Sequence, residues 1–491
     1  MLIKHGAIYL LSRIIPGLVA FTSLVVYTRL LTPDEYGAYI LVITTMALVQ
    51  VNLFSWLDLS LLRILPAHHA DPRPLLSTVL GLFLLLVGAI TALALLVWLL
   101  IPDPVLRKLL LLGIPILWVH AWLELNLKLC QSSLMPIRYG ILLMFRSVAT
   151  LGLGVALVLH GLGEYGPLVG FLVGSALACV ATLLWQWRGI RPRIDWRLAR
   201  ELAVYGIPLT GSIALVFIID SADRFLLARF LGSHAVGVYS AAYDLAAQSL
   251  QVLMMAVNLA AYPLAIRAYE AGGIPAALEQ LRQNGNLLFA IAIPAAAGMI
   301  VLTEPIAGVL LGESYREAAR TILPWIAVAV FVAGLKVFFF DMAFQLSKRS
   351  LPMMWSVAAG AVINVLLNLW WIPTHGLVGA AAATVSSYVV ALAICIAIGR
   401  RFIPITPDFG QLFRILLSVA VMVLAVSAVP ARVDPLGLAM QISVGMLAYG
   451  LAATALDVLG MRSRWLGRPG KGSATAEDRP PTPAGSGPRR S

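Results

Sequence analysis

His120, Glu124 and Lys128 stand four residues apart inside an otherwise apolar stretch, so a helix there stacks them on one face. Glu124 precedes Lys128 in the order that favours an ion pair between successive turns. Placing an ionisable group in hydrocarbon costs about 2.5–3.5 kcal/mol on insertion scales, and such groups normally face a cavity or one another. The triplet therefore reads in two ways: a neutralised pair that joins helices, or one wall of a hydrated cavity. Lys336 occupies a corresponding apolar stretch further along the chain, and two matching lysines facing each other favour the cavity. The segment FIIDSADRFLLARFLG spaces Asp220 and Arg224 for pairing and leaves Asp223 over. A carboxylate without an internal partner takes one from another helix, from water or from a proton, so Asp223 is a candidate for ion coupling, with Asp220 and Asp341 as further carboxylates. Asp341 shares a predicted helix face with Gln345, and Asn364 shares one with Asn368. Arg13, near the start of the first apolar stretch, either snorkels to the aqueous surface or enters the cavity.

Other chemistries lack their residues. The sequence contains no P-loop, no HExxH pair and no glycine-rich dinucleotide loop, so nucleotide-driven or metal-driven catalysis has no motif to rest on. Cys130, Cys179 and Cys395 are far apart, each within an apolar run, and read as buried small residues rather than a disulfide frame or metal site. His68 and His69 have only Asp71 near them. Neither enzymatic activity nor a cofactor is expected, and work would draw on an ion gradient, the membrane potential or consumption of the transported species elsewhere.

The elements that must hold these residues follow from the solvent. Of 491 residues, 60% are hydrophobic and 12% charged, with a mean hydropathy of +0.91, whereas an average soluble domain is about a quarter charged. Lipid surrounds most of such a chain. A helix crossing the bilayer core needs roughly 20 mostly apolar residues, and fourteen runs qualify, the first at 8–30 and the last at 437–459. The predicted fold is all-α and integral to the membrane. The first run is too long for a cleaved signal peptide. Cytoplasmic loops are enriched in Lys and Arg, and with the N-terminus inside, 25 of these residues fall on the cytoplasmic side and eight on the other. That bias places both termini in the cytoplasm. It also turns the net charge of +12 from a hint of a nucleic-acid partner into a topology signal. Connections are short; the segment 264–286 carries Ala277, Leu278 and Leu281 at the spacing of an interfacial amphipathic helix, which such surfaces accommodate.

RLLTPDEYGAY at 29–39 overlays RFLGSHAVGVY at 229–239, matching Arg29 with Arg229, Leu31 with Leu231, Gly37 with Gly237 and Tyr39 with Tyr239. Both segments join the first and second helices of a six-helix set. The expected organisation is a six-helix bundle at 1–187, a basic cytoplasmic linker at 188–202 and a second six-helix bundle at 203–399. Two additional helices follow at 400–459, then a disordered basic tail at 460–491. Six is an even number, so the two bundles have the same membrane orientation and the substrate path lies between them.

TRLLTPDEYGAYIL, ARFLGSHAVGVYSAAYDLA and NVLLNLWWIPTHGLVGAAAATVSSY, in this order and frame, resemble polysaccharide-biosynthesis flippases. Their superfamily also holds multidrug extruders and peptidoglycan-lipid flippases, and the resemblance covers residues 5–460. It implies two bundles around a V-shaped cavity that opens alternately to either side of the bacterial inner membrane. It also implies a substrate carried as an undecaprenyl-diphosphate-linked oligosaccharide, such as an O-antigen or exopolysaccharide repeat unit, with a polysaccharide polymerase and glycosyltransferases as functional partners. A diphosphate with sugars needs a wet, cationic passage while its polyprenyl tail stays among the membrane lipids. Lys128, Lys336, Arg13 and Arg224 would meet the diphosphate. Asn364, Asn368, Gln345 and the indoles of Trp118, Trp122 and Trp325 would contact sugars. By similarity, the last two helices would make a groove for the lipid tail. The competing readings are an ion-coupled multidrug antiporter, which favours acidic cavity residues, and, ranked lower, a membrane polysaccharide polymerase, which needs large outward loops.

Overall fold

The computed structural model describes residues 2–68, 70–100, 104–430 and 432–465; the side chain of Arg13, His69 and residues 466–491 lie outside the described residues, and the start of the tail expected to be disordered is instead helical at Met461–Trp465. Every regular element among these residues is helical. The first half of the chain runs through α1 (Leu2–Leu30), α2 (Pro33–Leu53), α3 (Ser55–Ile64), α4 (Arg73–Leu100), α5 (Pro104–Ser132), α6 (Pro136–Leu157) and α7 (Tyr165–Trp185). The second continues through α8 (Trp196–Leu231), α9 (Ser233–Val301), α10 (Thr303–Leu310), α11 (Glu313–Leu335), α12 (Met342–Leu346) and α13 (Ser350–Gly399), and α14 (Phe409–Ser427), α15 (Pro435–Ala455) and α16 (Met461–Trp465) end the described chain.

Local sequence accounts for where these helices start. The residues Thr32 to Glu35 close a capping box: the Thr32 amide donates to Glu35 Oε2 at 2.9 Å and the Glu35 amide to Thr32 Oγ1 at 3.4 Å, with Pro33 at the first helical position. The box satisfies two backbone donors that the helix cannot satisfy for itself, and the proline removes another. Asp195, Asp408 and Asp434 cap α8, α14 and α15 in the same manner.

Nine helices among the described residues are long and apolar enough to cross a membrane, judged by length and composition. Two of the nine are too long to be single crossings. At 1.5 Å per residue, the 69 residues of α9 would span about 100 Å, against a hydrocarbon core of about 30 Å. Its backbone leaves helical geometry at Gly273, and the Asn284 amide donates to the Ala261 carbonyl at 3.0 Å, so the helix doubles back as two packed arms. In α13 the break is at Gly376, and Asn364 donates to Ser387 Oγ at 3.3 Å across the fold.

The two segments matched in the sequence meet face to face. A Cβ on Gly37 would lie 1.9 Å from the Ser233 carbonyl oxygen and 2.9 Å from the Gly237 nitrogen, and one on Gly237 would lie 2.0 Å from the Pro33 oxygen and 3.1 Å from the Gly37 nitrogen. This reciprocity, each residue touching the counterpart of its own neighbour, is the mark of contact across a twofold axis. Only glycine allows α2 and α9 to approach so closely. Around the crossing, Tyr36, Tyr239, Leu311 and Tyr315 form a buried cluster, while separate apolar cores fill the space among α2 to α5 and among α9, α12, α14 and α15.

Candidate functional site

The apolar sequence of α5 forces a helix, and its four-residue spacing brings half-buried His120, Glu124 and Lys128 to one side. The expected Glu124–Lys128 ion pair does not form: neither residue makes a hydrogen bond or ion pair to a described residue. Charges on neighbouring helices act on them only at longer range. Asp58 on α3 lies within electrostatic reach of both Glu124 and Lys128, and Glu124 also feels Arg146 on α6. Asp58 is 4% exposed and accepts a hydrogen bond from Gln50 Nε2 at 3.1 Å. Arg146 is half-buried, with its guanidinium 4.9 Å from the centre of the Phe171 ring and no ion pair to a described residue. The His120 ring stands edge-on to the same phenylalanine at 5.7 Å, with Nδ1 unpartnered.

Sequence reasoning missed Asp58 and Arg146. Asp58 falls at the end of an apolar run, and Arg146 is one of the 25 basic residues counted as cytoplasmic although it lies ten residues inside α6. A charge that deep in an apolar helix was the available signal.

Lys336 does not face Lys128 as an open cation. It is 4% exposed and donates to both carboxylate oxygens of Asp341 at 3.0 Å; Cys395 Sγ donates to the same carboxylate at 3.2 Å. The cause is a π-helical turn from Lys336 to Phe340, in which the Asp341 amide bonds to the Lys336 carbonyl five residues back. That register brings residues five apart together, whereas Asp341 and Gln345, one α-helical turn apart, differ in burial. Asp341 is buried and Gln345 exposed.

Arg224 likewise takes a different partner from the one expected. Its NH2 group meets Asp244 on α9 at 3.0 Å and its Nε donates to Ser240 Oγ at 3.2 Å, while Tyr243 lies 5.3 Å beneath the guanidinium. The nearest polar atom it finds on Asp220 is the backbone carbonyl, at 3.5 Å. The Asp220 carboxylate accepts from the Tyr388 hydroxyl on α13. Asp223 is the carboxylate left over: 1% exposed, it takes the Arg224 amide at 2.8 Å on one oxygen, and the other oxygen has no hydrogen-bond partner. Asn364 and Asn368 are fully buried and share a face as expected, with Asn368 donating to Asn364 at 3.0 Å. The Asn368 carbonyl is unpartnered.

Two tyrosines of α2 join the polar groups of the two halves. Tyr39 lies within the fields of Arg146 and Asp244, and Tyr36 within those of Asp244 and Arg224. Beyond them the Gly37–Gly237 crossing closes one end of the assembly. Asp34 accepts from Ser233 Oγ at 3.0 Å and meets His234 Nδ1 at 3.1 Å; Arg29 donates to the Val309 carbonyl at 2.6 Å, and the Tyr315 hydroxyl to the Leu31 carbonyl at 3.0 Å. Of the three indoles, Trp325 is exposed, Trp122 packs between Phe83 and Trp187, and Trp118 Nε1 has no partner.

A second feature lies between α9 and the pair α14 and α15: a cavity of about 520 Å³ lined by Leu253, Pro294, Met422, Ile442, Gly445 and Met446 among others. Polar side chains are few. Tyr449 is engaged with the Ala290 carbonyl at 2.7 Å, and Gln441 is buried with its Oε1 unpartnered. Among the described residues no group of three His, Cys, Asp or Glu is placed to hold a metal.

Comparison with known proteins places these features in a familiar frame. Residues 26–320 match a family described as polysaccharide biosynthesis protein. Over 272 residues the chain is 22% identical to an amylovoran biosynthesis protein, AmsL, of Erwinia amylovora, covering 53% of this chain and 69% of that one. Its fold is similar to that of a lipid II flippase, MurJ, in an inward closed conformation, with a TM-score of 0.79, 14% identity and coverage of 94% and 99% of the two chains. An outward-facing multidrug resistance MATE transporter of the MOP superfamily superposes less closely, with a TM-score of 0.53 over 81% of this chain and 94% of that one. The structures share a multi-pass all-α transporter fold with this chain.

Proposed function

Because this chain belongs to the polysaccharide biosynthesis protein family, we propose that it is a flippase, moving a polyprenyl-diphosphate-linked oligosaccharide from the cytoplasmic to the outer leaflet of the bacterial inner membrane by alternating access. The observation that carries the reading is a pair of half-buried cations, Lys128 and Arg146, held inside an apolar bundle without an ion pair to any described residue. A cation at that depth is costly unless something compensates it, and a diphosphate does so. Charge-assisted hydrogen bonds contribute roughly 1.5–3 kcal/mol each, so two cations would favour the headgroup's stay in a hydrated passage.

The remaining parts divide the substrate. The apolar cavity beside α14 and α15 fits an isoprenoid tail, which needs burial and offers no hydrogen bonds. With both termini cytoplasmic, the Gly37–Gly237 crossing is the extracytoplasmic seal. It must part to release the sugar, with the bundles 1–187 and 203–399 moving as units joined by the linker 188–202. Asp223 and Asn368 each present a buried acceptor oxygen without a donor. A proton or cation bound there would satisfy them, and this is the site assigned to ion coupling. The multidrug-antiporter reading calls for acidic groups facing a cationic drug, whereas Asp244 is neutralised by Arg224 and the acidic groups Asp58 and Glu124 share their surroundings with Lys128 and Arg146.

Replacing Lys128 and Arg146 together by Ala tests the reading. Surface polysaccharide should disappear while the protein stays in the membrane, and unchanged output would overturn the proposed diphosphate contact.

A further inference from the structure

Five arginines, Arg188, Arg191, Arg193, Arg197 and Arg200, crowd the linker between α7 and α8 and the first turns of α8, and all five are exposed. None of their side chains makes a hydrogen bond or ion pair with a described residue. The carboxylates nearby do not offset them. Asp195 is occupied as the cap of α8, accepting from the amides of Arg197 at 2.8 Å and Leu198 at 3.4 Å, and exposed Glu201 stands alone. Despite its polarity the linker is fixed in place: the Arg193 amide donates to the Ser77 carbonyl at 3.2 Å, the Asp195 amide to Thr78 Oγ1 at 3.2 Å, and Ile194 packs on Gly81. Trp196 then projects outward, 72% exposed, and the next turns of α8 show Val204 and Ile207 at 68% and 57% exposed.

Exposed aliphatic side chains mark where a membrane helix meets hydrocarbon, and an exposed indole two to three turns away marks the headgroup level. The guanidiniums are therefore held at the level of lipid phosphates. Arginine forks match phosphate oxygens two at a time, and basic residues near an anionic leaflet each contribute to binding until salt screens them. Because the backbone here is already bonded to α4, little chain entropy opposes the contact.

We propose that the 188–200 linker with Trp196 is a binding surface for anionic phospholipid headgroups. Lipid bound there would tie the start of α8 to α4. This does not depend on what the protein transports, since it concerns the annular lipid and none of the cavity residues.

The full-length protein, reconstituted in nanodiscs of phosphatidylcholine alone or with phosphatidylglycerol, provides the test. Thermal stabilisation by phosphatidylglycerol, taken as the difference between the two lipids for each variant, should be clear in the wild type and shrink as salt rises. In Arg191→Gln/Arg193→Gln/Arg197→Gln/Arg200→Gln the difference should vanish, and phosphatidylglycerol retained after delipidation should fall by ~10-fold or more. The same four positions changed to Lys should keep most of the stabilisation, and Trp196→Ala should lower the melting temperature in both lipids. A phosphatidylglycerol effect that persists in the glutamine variant, or one that is lost equally in the lysine variant, would overturn the proposal.

Discussion

Replacing Gly37 by Ala should hold the extracytoplasmic seal apart. The new Cβ would sit 1.9 Å from the Ser233 carbonyl oxygen, while ordinary van der Waals contact begins at roughly 3.4 Å, so α2 and α9 must separate by about 1.5 Å. The clash falls on backbone that cannot rotate away. Overpacking by a single methyl group costs about 1–3 kcal/mol, and since the cost is borne only by the closed arrangement, the open one gains by the same amount. That corresponds to a shift of roughly 5-fold to 150-fold in the ratio of open to closed molecules. Ala235 lies at the crossing and is 7% exposed, so the thiol of Ala235→Cys reports opening through its rate of maleimide modification in purified protein. The native cysteines Cys130, Cys179 and Cys395 are buried and form a low background. The rate should rise at least ~5-fold when Gly37→Ala is added, and Gly237→Ala should act alike because its Cβ meets Pro33 oxygen at 2.0 Å. An unchanged rate in a folded double variant would refute the seal.

Other expectations follow from single contacts. Lys336→Met leaves Asp341 as a buried charge without its cation, a loss of about 3–5 kcal/mol, whereas Lys336→Met with Asp341→Leu should recover much of the melting temperature. At Asp408, burial alone would raise the carboxyl, but the amides of Gln411 and Gly410, the Arg282 guanidinium and Asn286 outweigh it and hold it below its ordinary value. A lowered folded value means stabilisation that is complete above the ordinary carboxylate range and lost as pH falls through the lowered value, so amide exchange at the start of α14 should accelerate on acidification. Asp408→Asn should blunt that response. Gly445→Phe would fill the groove beside α15, where a Cβ already comes within 3.0 Å of Val426, and should abolish retention of polyprenyl lipid while the protein stays folded.

Features set by one helix at a time were legible in the sequence. Hydropathy picked out the apolar runs, and four-residue spacing correctly grouped Asn364 with Asn368. Matching residues 29–39 with 229–239 singled out Gly37 and Gly237 before their contact was known. Pairings between helices were not legible. Arg224 prefers Asp244, 20 residues away on α9, to Asp220 one turn away, because a tertiary partner offers its carboxylate where the Tyr388 hydroxyl has already taken the local one. Lys336 pairs with Asp341 through a π turn that no α-helical period anticipates, and this single irregularity removes one of the two cations expected to face the substrate. In the proposed site Arg146 takes its place, although it counts among the basic residues put on the cytoplasmic side. Fourteen apolar runs and nine qualifying helices differ in part because α9 and α13 each fold back without losing helical hydrogen bonding for long.

Transfer of a polyprenyl-diphosphate-linked oligosaccharide between leaflets is the central claim, and it is measurable in liposomes containing the purified protein and a fluorescent lipid-linked oligosaccharide. Label initially confined to one leaflet should become reactive from the other side with wild-type protein, and should stay confined with Lys128→Ala/Arg146→Ala. Transfer at the same rate in protein-free liposomes, or undiminished in the double variant, would contradict the account.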